Sequence, residues 1–154
     1  MVERDTLLAC KIFDDLKIEE LGAVLACGKE MKFHDNEVIL HESSVVEGSD
    51  LFIIAEGMVK VQVGSERKDG TISNRLAILR KGDVFGEMGF LKGRRRSAQV
   101  VAYGDELQVI QISAEKLYDL FEKDYHIGYL IMQNLASILS DRLIDVNFML
   151  RDDI

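Results

Sequence analysis

The sequence predicts a mainly β fold, an antiparallel sandwich or barrel with helices at both ends. Two observations carry this. Between Phe33 and Ile112, short β-rich runs alternate with Gly, Asp and Asn turn residues. On either side, residues 2–30 and the stretch after Ser113 repeat their apolar residues at intervals of three and four, the period of a helix. A chain of 154 residues can bury an ordinary core, so residues 1–154 are read as one domain: helices over 1–32, β structure over 33–112 and helices over 113–154.

At the start, Leu7, Leu8, Ile12, Phe13 and Leu16 recur at helical spacing, and Leu21, Val24 and Leu25 repeat it. Asp14-Asp15 should divide this segment into two helices, with Gly28 as the stop of the second. The expected strands are Glu37–Leu40, Leu51–Ile54, Met58–Val63, Arg75–Leu79, Gln99–Ala102 and Leu107–Ile112. Turns are expected at Asp35-Asn36, Gly48-Ser49-Asp50, Glu56-Gly57, Asp69-Gly70, Lys81-Gly82-Asp83 and Gly104-Asp105, where Gly and Asn accept positive φ. The polar segment Gly64–Asn74 reads as a long exposed hairpin loop.

Ser113 is placed to cap a helix whose first turn holds Glu115. That helix carries Leu117, Leu120 and Phe121. A longer one follows, from about His126 to Arg151. In it Met132, Leu135, Leu139, Val146 and Met149 keep helical spacing, Arg142 fills the missing position, and Ile131, Ile138 and Leu143 widen the face. So wide a stripe allows a homodimer seam, with one side packed on the barrel and the other on a second copy. The plainer reading is a helix of one core.

Composition narrows the function. A net charge of −8 argues against general binding to nucleic acid or to an anionic membrane. Charges are interspersed through residues 1–30, unlike a signal peptide, and no apolar run approaches the roughly 18 residues of a membrane span. A cytoplasmic protein is expected, with Cys10 and Cys27 as reduced thiols on the N-terminal helices. His34 and His41 have no Cys or carboxylate cluster around them that would argue for a metal. Against the acidic background, Arg80–Ala98 holds six basic residues (Arg80, Lys81, Lys92, Arg94, Arg95, Arg96) and two acidic ones (Asp83, Glu87), an excess of +4. A solvated basic loop or an anion site would both produce it.

Chemistry favours the anion site. Within that stretch, Phe85-Gly86-Glu87-Met88-Gly89 precedes Arg96-Ser97-Ala98 across a segment long enough for one or two helical turns. Glu87 can accept hydrogen bonds from two sugar hydroxyls. Arg96 can give paired, charge-assisted bonds to phosphate oxygens, and Ser97 adds a hydroxyl. Together they describe a pocket for a phosphorylated sugar with one negative charge.

Residues 85–98 resemble the phosphate-binding cassette of the cyclic-nucleotide-binding domain, the family of bacterial catabolite activators, the protein kinase A regulatory subunit and cyclic-nucleotide-gated channels. The resemblance spans nearly the whole chain. It implies an eight-stranded antiparallel β-roll, a jelly-roll-like double-stranded β-helix, with Gly57 and Gly82 at characteristic turns. Asn36 and Ser43 stand where the family usually has Gly. It further implies that Glu87 binds the ribose 2′-hydroxyl and that Arg96 and Ser97 bind the cyclic phosphate. Phe85, Gly86, Met88, Gly89 and Ala98 would complete the cassette. Arg142, on the helix that would cover the pocket, is a candidate for contact with the base; otherwise its head reaches solvent or Asp145. The implied ligand is cAMP, with cGMP as the alternative, and no metal.

Nothing in the sequence pairs a nucleophile with a base, and no kinase glycine loop appears, so an enzyme is not expected. The sequence ends at Ile154, where catabolite activators continue into a DNA-binding domain. The expectation is a sensor without its own output domain, acting on an unidentified effector. The other readings are a nucleotide-free assembly module of the same fold and a piece of a DNA-binding regulator.

Overall fold

The computed structural model describes residues 4–41, 50–66, 69, 72–91 and 99–152. Helices α1 (Arg4–Leu8) and α2 (Ile18–Leu25) flank a 3₁₀ turn, Lys11–Phe13. Strands β1 (Gly28–His34), β2 (Val38–Leu40), β3 (Leu51–Glu66), β4 (Ile72–Arg80) and β5 (Val84–Phe85) follow, then the single-turn helix α3 (Glu87–Phe90) and strand β6 (Gln99–Ile112). Helices α4 (Ala114–Lys123) and α5 (Tyr125–Asp152) close the chain.

All pairings among the described residues are antiparallel. The main ladder runs β1-β6-β3-β4, with β2 added to β6 and β5 to β3. This is the mainly β architecture with flanking helices that the sequence predicts. The long strands β3 and β6 form its spine, and both faces of their central stretches are buried. Leu51, Ile53, Ile110 and Ile112 pack toward the helices with Ile12, Phe13, Leu117, Ile131 and Leu135. Phe52, Ile54, Leu107 and Val109 point the other way, into the roll, with Val59, Phe85 and Val100. Alternate side chains of a strand face opposite sides, so two cores ask for an unbroken apolar run rather than alternation.

Several expected boundaries move. The N-terminal segment is not helical to residue 30. Asp15 takes φ 67 and ends the 3₁₀ turn, and Gly28 begins β1 instead of stopping α2. Cys10 and Cys27 therefore lie in turns, as free thiols donating to Thr6 O and Ala23 O. Burial pushes the Cys10 thiol up to about 11. The runs Leu51–Ile54 and Met58–Val63 belong to one strand, as do Gln99–Ala102 and Leu107–Ile112. Glu56-Gly57 is a bulge: between the pairs Glu56↔Gln108 and Met58↔Tyr103, Gly57 alone faces residues 104–107. Gly57 (φ 93) and Gly104 (φ 89) absorb the corner. Ladder pairing also continues to Glu66↔Ile72, so Gly64–Glu66 and Ile72–Asn74 of the expected loop are strand; a polar composition does not stop a two-stranded ribbon from pairing its backbone. Asn36 (φ 68) and Gly82 (φ 92) have the positive φ expected of their turns, while Ser43 lies outside the described residues.

At the C-terminal end, Ser113 Oγ accepts from Lys116 N–H at 3.3 Å and caps α4. Helix α5 is tied to the N-terminal segment at three heights. His126 Nδ1 meets Glu20 at 2.5 Å, Asn134 Nδ2 donates to Ile12 O (3.0 Å) and Asp14 O (2.8 Å), and Asp141 pairs with Lys11. The Lys17 backbone N–H and His126 hold the Glu20 carboxyl below its usual range. The expected seam needs correction. Leu135 is buried in the chain's own core, with Met132 and Leu139 packed against it; the side chains of Val146 and Met149 lie outside the described residues. The exposed side of α5 carries Tyr125 (77% exposed), Tyr129 (63%), Leu143 (62%) and Ile144 instead. None of the described helices is long and apolar enough to cross a membrane.

Candidate ligand pocket

The pocket is built outward from β5. Val84 and Phe85 are buried and pair with Ile53 and Phe52 of β3, and Phe85 stacks on Phe52 with centroids 5.0 Å apart. Gly86 then takes φ 80, a left-handed turn open to Gly without strain, and starts α3 at Glu87. Phe90 closes that turn through its N–H to Gly86 O (3.1 Å), and its ring is wholly buried on the helical side of the sheet. There it stacks on Tyr118 of α4, whose hydroxyl donates to Phe90 O at 2.7 Å. The turn is thus pinned at both ends, which fixes where the side chain of Glu87 sits.

Glu87 opens into a pocket of about 200 Å³. Leu40, Val61, Ala77, Leu79 and Val100 form apolar walls from four strands; Phe85, Gly86, Glu87 and Met88 form the side at the start of α3. Arg142 of α5 closes it. Its Nη1 lies 3.3 Å from Glu87 Oε1, and its Nη2 donates to Val84 O at 2.5 Å. Both side chains are mostly shielded, Glu87 being 16% and Arg142 29% exposed, so the charge-assisted contact is less screened than a surface pair. A pocket with apolar walls, one carboxylate and one guanidinium can hold a flat apolar ring carrying hydroxyl groups.

Of the residues singled out in the sequence, Phe85, Gly86, Glu87, Met88 and Arg142 line this pocket, and Gly89 is buried beneath it. Arg96, Ser97 and Ala98 lie outside the described residues. Arg142 reaches the pocket, and the carboxylate it meets is Glu87 rather than Asp145. The wall residues were not singled out. They belong to predicted strands or lie beside them, but alternation alone does not say which side faces the pocket. The Val84 carbonyl and Tyr118 gave no signal in the sequence.

Comparison with known proteins supplies the family. The family described as "Cyclic nucleotide-binding domain" matches residues 30–124. The chain is 29% identical over 113 residues to cGMP-dependent protein kinase 2 of Homo sapiens, covering 73% of this chain and 14% of the kinase. It is 28% identical over 139 residues to the Cyclic AMP receptor protein of Thermus thermophilus, covering 86% of this chain and 56% of that protein. Among solved structures, a cyclic nucleotide-binding domain from Methylobacillus flagellatus superposes with a TM-score of 0.83 at 22% identity, over 97% of this chain and 81% of the other. With the matched span running from β1 through α4 and enclosing every wall of the pocket except Arg142, this chain belongs to the cyclic nucleotide-binding domain family.

Proposed function

We propose that this chain is a cyclic-nucleotide sensor that binds cAMP, with cGMP as the alternative, and signals without catalysis through its C-terminal helices. The observation that carries the reading is Glu87, held by the Phe85-Gly86 turn in an apolar pocket that α5 covers. Glu87 accepts from the ribose 2′-hydroxyl. Arg96 and Ser97 take the cyclic phosphate, and Phe85, Gly86, Met88, Gly89 and Ala98 shape the cassette around it. The two curated relatives support one base each: the kinase's name specifies cGMP and the receptor's specifies cAMP. Ligand acts on a cytoplasmic effector by favouring one placement of α4 and α5, because a ligand shifts an equilibrium only through differential affinity. Calorimetric titration with cAMP, cGMP and a cyclic dinucleotide tests this. One mononucleotide per chain is expected. Absence of binding to both mononucleotides contradicts the reading and favours the assembly module.

The same reading includes a homodimer through α5. Tyr125, Tyr129, Leu143 and Ile144 are exposed on that helix, with the small residues Ala136 and Ser140 on the same side. Small residues in the middle and apolar ones at the ends let two helices approach closely. Leu143→Asp places a charge in that seam without touching the core and should give monomers in light scattering. A wild type that is monomeric with and without nucleotide rules the seam out.

A further inference from the structure

We propose that Arg142 is a positioning residue for ribose recognition, which joins the occupancy of the pocket to the docking of α5. The proposal rests on the cyclic-nucleotide reading above. Arg142 sits on the inward side of α5, four, seven and eleven residues beyond Ile138, Leu135 and Ile131, where the helical stripe asks for an apolar residue. A guanidinium at such a place is costly unless its donors are met. They are met by two acceptors of different rigidity. Val84 O belongs to a strand with a fully buried side chain and does not move independently of the core. Glu87 Oε1 belongs to a side chain that could take other rotamers.

Bonding therefore runs in one direction, from core to Val84 O, to guanidinium, to carboxylate. Arg142 fixes the plane of the Glu87 carboxylate through Oε1 and leaves Oε2 to accept from the ribose hydroxyl. Its own backbone is held in place by Asn134 and by the Lys11–Asp141 pair on the same helix. A docked α5 thus strengthens ribose binding. By linkage, a bound ribose strengthens the docking of α5 to the same extent.

Three roles for Arg142 differ in a measurable way. A contact with the base depends on whether the base is adenine or guanine. A purely structural Arg affects every nucleotide alike. A positioning role depends on the 2′-hydroxyl. The experiment is calorimetric titration of wild type and Arg142→Gln with cAMP, cGMP and their 2′-deoxy counterparts. Wild type should prefer the ribonucleotides by about tenfold, the worth of one hydrogen bond to a charged group. Arg142→Gln should lose about tenfold on both ribonucleotides and less than about twofold on the deoxy forms, so that the ribose preference collapses. Arg142→Lys, which keeps the stem and the charge, should retain part of the preference and guards against a folding defect. Equal losses on ribo and deoxy forms, a loss confined to one base, no loss, or a gain in affinity would each overturn the proposal while leaving the cyclic-nucleotide reading intact. Failure of the wild type to bind either ribonucleotide removes both.

Discussion

Arg96→Ala should weaken cyclic-nucleotide binding by about 2–5 kcal/mol, the usual penalty for leaving a buried charge without its hydrogen-bonded partner. On the proposed reading the ligand carries a single negative charge on its cyclic phosphate, to which Arg96 would give two parallel hydrogen bonds. The loss corresponds to between about 30-fold and several-thousand-fold in Kd at roughly 1.4 kcal/mol per tenfold. Arg96→Lys should restore only part of it, since an ammonium supplies the charge without the planar fork. Unchanged affinity for both cAMP and cGMP in Arg96→Ala would take the phosphate away from this residue.

Gly57→Val should destabilise the fold by about 2–5 kcal/mol, from left-handed backbone strain and overpacking together. Gly57 lies at the corner where β3 shifts register against β6, with φ 93. A Cβ there would stand 2.6 Å from Glu106 O and 3.1 Å from Leu107 Cα, both backbone atoms, so no side chain can swing aside to relieve it. Small domains hold only about 5–15 kcal/mol in total, and a loss of this size should bring a clear drop in the urea midpoint. Gly22 is the internal contrast. It lies inside α2, and a Cβ there meets nothing within 4 Å. Gly22→Ala should therefore stabilise the helix by about 0.5–1 kcal/mol. A Gly57→Val variant as stable as wild type would show that the corner is not built as described.

The two positions also show what the sequence makes legible. Gly57 was readable as a residue of positive φ, but Glu56-Gly57 looked like a turn between two strands. A bulge and a turn use the same residue type; they differ in whether the ladder resumes with the same partner, and that partner lies some fifty residues away in β6. Gly104-Asp105 misleads for the same reason. Local chemistry was a better guide where the partner is local. Ser113 caps α4 through a residue three positions on, and Asn36 turns the chain on its own φ. Helical spacing found α4 and α5, but a helix with apolar residues on several sides does not reveal which side is inward. That side is set by Ile12, Phe13 and the Ile12 and Asp14 carbonyls that accept from Asn134, all more than a hundred residues from α5 in sequence. The turn Phe85-Gly86-Glu87 at the pocket's edge was legible as a pattern. Its partner Arg142 stood out only as a charge in an apolar stripe, and its hold on Glu87, 55 residues away, needed the fold.

Hydrogen exchange across the cassette with and without saturating cAMP or cGMP tests the central claim most directly. Ligand on Glu87, Arg96 and Ser97 should slow exchange in the peptide spanning residues 84–99, with a further decrease in α5 near Arg142, because ordering a segment around a ligand lowers the population of its open states. Tight binding that leaves residues 84–99 unchanged, with protection confined elsewhere, would contradict the assignment of this pocket.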